Sequence, residues 1–324
     1  MGSLATYLVR RILFMIPVFL AVSILTFVMT NAAGNPVDLI RLSYHNMNPT
    51  VLKALEDYYH VNDPVFVRYF YWLTEFLQGN LGTSLVQGGP VSHFILPWIG
   101  TTLELQLGSL ALALGIGIPV GVYSAKHQYA KSDVAVTTTA IFGVSMPTFW
   151  LGIMTIIVFS FYLHWLPFGG AISGYAPYWW GSIPTDLIAH AILPTAVLTF
   201  VSLAAIVRLV RANMLETLRQ DFVLAARASG LKERTVTYKY ALKNAITPIV
   251  TIVGLSLGLS LGGAPALETT FSWPGLGYEF VTAATVLDIP TVVAITMIIT
   301  LMVLFFNLGT DLFYAYLDPR VRLT

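Results

Sequence analysis

The side chains of this 324-residue chain that could do chemistry are few, and their positions narrow what that chemistry is. Glu104, Glu268, Asp311 and His190 fall near the ends of long apolar stretches. A lone carboxyl or imidazole at such a position caps a helix or makes an interfacial hydrogen bond. A proton relay would need ionisable groups deep in the apolar stretches. The chain has no G-x-x-x-x-G-K-[ST] phosphate loop, no H-E-x-x-H helix and no G-x-S-x-G nucleophile turn. It has no cysteine, hence no disulfide and no thiolate metal site, and no histidine–carboxylate cluster resembles a metal cage. No catalytic residue and no metal ligand is expected.

What remains is a surface for contact. Residues 208–243 carry eight of the seventeen lysines and arginines, between apolar stretches. Residues 211–229 hold no proline or glycine, Gly230 interrupts, and 231–245 are again free of both, which predicts helix–glycine–helix. Phe222, Ala225, Ala226 and Ser229 recur at helical spacing as a small, mildly apolar face, with Lys232, Glu233, Arg234 and Lys239 beyond it. Two readings compete. The segment is a solvated connector whose charges meet anionic headgroups, or it seats in a cleft of a soluble partner. Headgroups account for the charge but not for the apolar face or the placed glycine.

The rest of the chain must position this island. It is 56% hydrophobic and 10% charged, with mean hydropathy +0.74, outside ordinary soluble composition. Net charge is +1, without the basic excess of a nucleic-acid-binding protein. Six stretches could cross a bilayer as helices: 12–30, 103–123, 134–163, 187–207, 246–267 and 291–315. The first is too long for the core of a cleaved signal peptide and is read as an uncleaved membrane helix. The third contains Pro147 and is long for one span, so a kink or strong tilt is expected. With the N-terminus inside, fourteen lysines and arginines fall on the inner side and only Arg41, Lys53 and Arg68 outside. By the positive-inside rule both termini are cytoplasmic in a multi-pass, all-α protein of the plasma membrane.

The expected organisation is an N-terminal membrane helix (1–30), an extracytoplasmic cap of short helices (31–102), a five-helix core (103–315) containing the cytoplasmic loop 208–245, and a cytoplasmic tail (316–324). Trp72, Trp98, Trp165, Trp179 and Trp180 suit interfacial anchoring, or stacking on a substrate ring. Gly117 and Gly121 form GxxxG, and Gly254, Gly258 and Gly262 recur every fourth residue on one helix face, near Ser256 and Ser260. That second groove serves packing within the chain, or contact with a partner membrane subunit or the translocation path.

LAARASGLKERTVTYKYALKNAITP (224–248 and its flank) resembles the EAA loop of ATP-binding-cassette importer permeases, in the dipeptide, oligopeptide and nickel branch. Ala225, Ala226 and Gly230 match, while Leu224 stands where the general loop has glutamate and Lys243 where it has proline. GNLGTS (79–84), TLELQLGSLALALGIGIPVGVYSA (102–125), VSMPTFWLG (144–152), HAILPTAVL (190–198), ETTFSWPGLG (268–277) and DLFYAYLDPRVR (311–322) extend the resemblance over most of the chain. It implies a short coupling helix between the fourth and fifth spans, with Asp221, Phe222, Ala225, Ala226, Ser229, Gly230 and Leu231 meeting an ATPase. It further implies a second homologous permease subunit, two cytoplasmic ATPase subunits that bind ATP and Mg, and an extracytoplasmic substrate-binding protein. The branch implies peptides as cargo, with nickel and oligosaccharides carried by relatives. A stand-alone secondary transporter or channel is the rival class, and it calls for interior ionisable residues or inverted repeats that are not seen.

Overall fold

The computed structural model describes residues 4–33, 37, 48–58, 60–84, 86–172, 184–260 and 262–317. Trp179, Trp180, Arg41, Arg320 and Arg322 lie outside the described residues. The described residues form helices joined by turns: α1 (Leu4–Ala33), α2 (Pro49–Tyr58), α3 (Val65–Leu77), α4 (Val91–Lys126), α5 (Lys131–Ser145) and α6 (Thr148–Thr155, continuing as a π-helix Ile156–Tyr162). They are followed by α7 (Pro184–Thr217), α8 (Asp221–Ala228), α9 (Leu242–Ser260), α10 (Pro265–Thr270), α11 (Leu276–Thr285) and α12 (Ile289–Leu317).

Four of these, α1, α4, α7 and α12, are single helices long and apolar enough to cross a membrane. The third predicted span is a bent pair, α5 and α6, turning through 103°. Proline pushes the residue before it out of the helical region, and Met146 accordingly sits at ψ 132° while Pro147 opens α6. The expected kink is a break. Of the fifth predicted stretch, residues 246–260 lie in α9, whose 19 residues reach about 28 Å at 1.5 Å per residue, and the stretch does not continue to 267 as one helix, since α10 starts anew at Pro265.

Contacts fix the relative directions. Gly117 and Gly121 of α4 face Leu203, Ile206 and Val210 of α7, so the two helices run parallel. A methyl at Gly121 would stand 2.6 Å from Val210 Cβ, closer than side chains tolerate. Gly254 of α9 meets Thr310 of α12 and Gly258 meets Asn307, so that pair runs antiparallel. Arg11 of α1 pairs with Asp311 of α12 at 2.9 Å. The start of α1, the ends of α4, α7 and α12, and the charged segment therefore share one end of the bundle, called here the island end.

The opposite end is tied by a buried carboxyl. Glu268 accepts hydrogen bonds from the Tyr278 amide at 2.9 Å, the Ala264 amide at 3.2 Å and the Thr102 hydroxyl at 3.3 Å. Gly263, Gly275 and Gly277 press on it so closely that a Cβ at any of them would stand within 3 Å of a carboxyl oxygen. Thr102 in turn receives the Leu276 amide, Trp273 Nε1 donates to the Thr101 carbonyl, and the Gly170 amide donates to the Phe271 carbonyl at 2.7 Å. The ETTFSWPGLG segment thus joins α4, the 169–170 loop and α11 in one polar knot, each buried group of which has a partner.

Gly121→Leu is expected to destabilise the purified chain by about 1–3 kcal/mol through overpacking of α4 on α7. Gly115→Leu, where an added Cβ meets nothing within 4 Å, should leave the thermal midpoint in detergent unchanged.

Candidate functional site

The charged segment begins where α7 ends. Expected helix runs on through residues 211–229, but the structure breaks it at 218–220. Gln220 turns extended (φ −72°, ψ 146°) and α8 restarts at Asp221. An acidic side chain in a first turn and Arg227 in the last suit the helix dipole. At the other end Ser229 closes the helix, its amide and hydroxyl both bonded to the Ala225 carbonyl at 2.9 Å. Gly230 follows at φ +78°, the left-handed conformation that glycine supplies at least cost. Arg227 then reaches across the glycine to Glu233, Nη2 to Oε1 at 2.9 Å and Nε to Oε2 at 3.2 Å. Hydrogen bonding to the Arg227 guanidinium holds the Glu233 carboxyl below its ordinary range and raises the arginine. The helix expected after Gly230 is not separate: a turn at Glu233–Thr235 and a π-helical stretch Val236–Ala241 lead straight into α9.

α8 has two faces. Val223 and Ala226 are buried against Val122 and Ala125 of α4, Val210 and Met214 of α7, and Val236 and Ala241. Asp221, Phe222, Leu224, Ala225 and Ser229 point away from the bundle, with Gly230 and Leu231 beside them. Phe222 is 42% exposed, Leu224 50% and Leu231 39%. Of the site residues read from sequence, Phe222, Ala225 and Ser229 are brought together on the outer face. Ala226 is not: it is 7% exposed and faces inward. Positions three apart share a helix face, and the pair that the core takes is Val223 and Ala226. Leu224, which stands at the glutamate position, joins the outer surface instead. No local pattern singles it out, because an exposed leucine is apolar like its buried neighbours.

One strut was missed altogether. Asp133, at the start of α5, is 2% exposed and receives Arg211 of α7 in a fork, Nε to Oδ1 at 2.7 Å and Nη2 to Oδ2 at 2.8 Å. Ser124 of α4 donates to the same carboxylate, and so does the Tyr129 amide at 2.9 Å. Three helices are pinned ten residues before α8 begins. The available signal was only an aspartate two residues after Lys131 in an expected loop.

The glycines divide. Gly254 and Gly258 are filled by α12 of this chain, so packing within the chain is what the structure gives those two positions. Gly262 lies past the end of α9 in a turn, half-buried. Close approach at 254 and 258 leaves no room for a second chain on that face of α9. At the ends of the apolar stretches, His190 Nδ1 lies 2.8 Å from the Asp186 carbonyl, Asp311 meets Arg11, and Glu268 sits in its knot.

Residues 117–323 match the family described as binding-protein-dependent transport system inner membrane component. The oligopeptide transport system permease protein AppB of Bacillus subtilis (strain 168) is 41% identical over 98% of this chain and all of that protein. The dipeptide transport system permease protein DppB of Escherichia coli (strain K12) is 34% identical, covering 98% of each. Among solved structures, the inward-facing MetNI methionine ABC transporter superposes with a TM-score of 0.53 at 18% identity, over 69% of this chain and 96% of that one, a likeness of fold.

Arg211→Leu strands a buried carboxylate, and breaking such a pair costs about 3–5 kcal/mol. The expected outcome is poor recovery of the single variant, with Asp133→Leu/Arg211→Leu regaining much of the loss. Denaturation of the three proteins in detergent checks it.

Proposed function

This chain belongs to the family of binding-protein-dependent transport inner-membrane components, and on that premise we propose that it is the permease subunit through which an ATP-driven importer moves di- or oligopeptides. The names of the relatives that match over nearly its whole length support that cargo. The island end is assigned to the cytoplasm and the knot end to the outside, which puts both termini inside and six spans across the bilayer, with residues 31–102 as the outer cap. The charge asymmetry supports this, together with the gathering of Arg11, Lys126, residues 208–243 and Asp311 at one end.

The observation that carries the mechanism is the two-faced α8. Its inner face is wedged into the core shared by α4, α7 and α9, and its outer face offers Phe222, Leu224 and Ala225, with Leu231 just beyond it, where the surroundings are charged. Lipid headgroups have no use for that apolar surface; a protein cleft does. In this reading each of two ATPase subunits grips one permease, this chain and a homologous second one. The ATPases bind and hydrolyse ATP with Mg, and their closure pushes α8. Val223 and Ala226 deliver the displacement to the bundle, Gly230 lets the chain reverse within a few residues, and Arg227–Glu233 braces that reversal. A binding protein hands the peptide over at the outer end. The chain supplies the path and the lever, not the hydrolysis.

Ala225→Arg puts a bulky charge on the exposed face without entering the core. The expected result is a stable chain that assembles with its partner permease but loses ATPase co-purification and at least tenfold of peptide uptake. Retained ATPase with normal uptake refutes the assignment. Gly230→Ala forces a left-handed alanine, which costs about 1–2 kcal/mol; an added Cβ there meets nothing within 4 Å. Uptake should therefore fall with Gly230→Ala and recover with Gly230→Asn, since asparagine accepts that conformation more readily. In this cysteine-free chain Lys232→Cys should resist labelling from outside while Gln87→Cys accepts it; outside labelling of Lys232→Cys reverses the topology.

A further inference from the structure

A cavity of about 440 Å³ opens at the knot end between α3, the end of α1 and the start of α12. That volume is within the range of small-molecule sites. Its walls carry both signs of charge. Arg68 and Glu75 both line it, seven residues apart on α3. Seven residues make almost two full turns, so the two side chains leave the same helix face about 10.5 Å apart along the axis. Between them the wall is aromatic: Tyr71 stacks on His60 with ring centroids 4.1 Å apart at 7°, and Trp72 packs on Phe27 at 5.7 Å. Both charged groups are already aimed. Arg68 Nη2 donates to Asn31 Oδ1 at 2.5 Å, and Asn80 Nδ2 donates to Glu75 Oε2 at 2.8 Å. Each bond engages one edge of its group, leaving a guanidinium with several N–H donors and a carboxylate with a second oxygen.

We propose that this cavity holds a short zwitterionic peptide, its terminal carboxylate on Arg68, its terminal ammonium on Glu75 and its body against Tyr71 and Trp72. An extended residue spans about 3.3–3.6 Å, so a tripeptide covers about 10 Å between its ends. That matches the separation of the two charges along α3. A zwitterionic phospholipid headgroup carries both charges too, but a two-carbon arm holds its ammonium beside its phosphate and cannot bridge two helical turns. Residue 72 is thereby a stacking tryptophan rather than a membrane anchor. The inference rests on the peptide cargo proposed above, and on the knot end being outside, where the site would hold the peptide against the cap's own helix α3 before it enters the bundle.

The test uses the complete transporter in nanodiscs without its binding protein, with tri-alanine as probe and calorimetry as readout. Wild-type protein should bind tri-alanine saturably. Arg68→Gln and Glu75→Gln should each weaken binding at least tenfold, N-acetyl-tri-alanine amide should bind at least tenfold more weakly, and phosphatidylethanolamine should not compete. Because Arg68 also braces Asn31, a thermal midpoint matching wild type is required of each variant, and Glu75→Gln alone decides the matter if Arg68→Gln unfolds. Absent wild-type binding, equal affinity for the blocked peptide, unchanged affinity in Glu75→Gln, or displacement by phosphatidylethanolamine overturns the site. Tri-alanine uptake through the same transporter with its binding protein is measured alongside. Uptake without binding at the cavity sinks this inference and leaves the cargo assignment standing, whereas a transporter that takes up no peptide at all fails the cargo assignment.

Discussion

The forked contact between Asp133 and Arg211 is the constraint on which the island end depends. A charge removed from water must be paired and hydrogen-bonded, or it costs several kcal/mol. Asp133, on α5, meets that demand by drawing on two other helices and a turn at once: Arg211 of α7, Ser124 of α4 and the amide of Tyr129 in the turn before α5. Satisfying one carboxylate fixes how three helices end relative to each other. It also fixes the direction in which α7 leaves the bundle, and hence where α8 stands. At the opposite end Glu268 obeys the same rule with neutral donors, and the Ser84 hydroxyl and Thr291 hydroxyl do so on Asp288 at 2.5 and 2.8 Å. Each end of the bundle is thus closed around buried acids whose partners come from distant parts of the chain.

Between those closures the helices approach through glycine. Gly117 and Gly121 admit Ile206 and Val210, Gly143 admits Ala204, and Gly254 and Gly258 admit Thr310 and Asn307. Between membrane helices burial from water contributes little, so association rests on close packing and polar contacts. The consequence is stiffness. Close-packed interiors transmit strain rather than absorb it, so movement imposed on Val223 and Ala226 passes to α4, α7 and α9 together. The break at Ser145–Pro147 is where the described bundle departs from rigid rods, because α5 and α6 pack on α7 at different heights on either side of it.

Features set by short-range rules were legible in the sequence. Apolar runs marked the four long helices α1, α4, α7 and α12 and the bent pair α5–α6, Pro147 marked the break, and Gly230 marked a left-handed turn, since each depends on a residue and its immediate neighbours. The features that were not legible pair distant positions. Arg211 and Asp133 are 78 residues apart, and Thr102 and Glu268 are 166 apart. Neither local periodicity nor composition says that two such groups meet. The inward turn of Ala226 belongs to the same class. Phe222, Ala225, Ala226 and Ser229 are a plausible stripe on an isolated helix, and only the position of α4 and α7 shows that Val223 and Ala226 are the pair the core takes. The stop at 218–220 lacked a glycine or proline to announce it; it arises where α7 runs out of bundle to pack against.

The size of the apolar surface on α8 bears on how it would work. Fully burying a large aliphatic or aromatic side chain contributes about 1.5–3 kcal/mol. Phe222, Leu224 and Leu231 are each about half covered already, so burying the rest would add about half of that apiece, a few kcal/mol together. Association costs about 4–15 kcal/mol in lost freedom of motion, so this patch by itself does not bind a partner tightly. It is adequate as a bearing between bodies held together by other contacts. In the coupling role proposed for it, α8 needs a stiff connection to the load and a seat that can shift without separating, and its buried and exposed faces divide along that line.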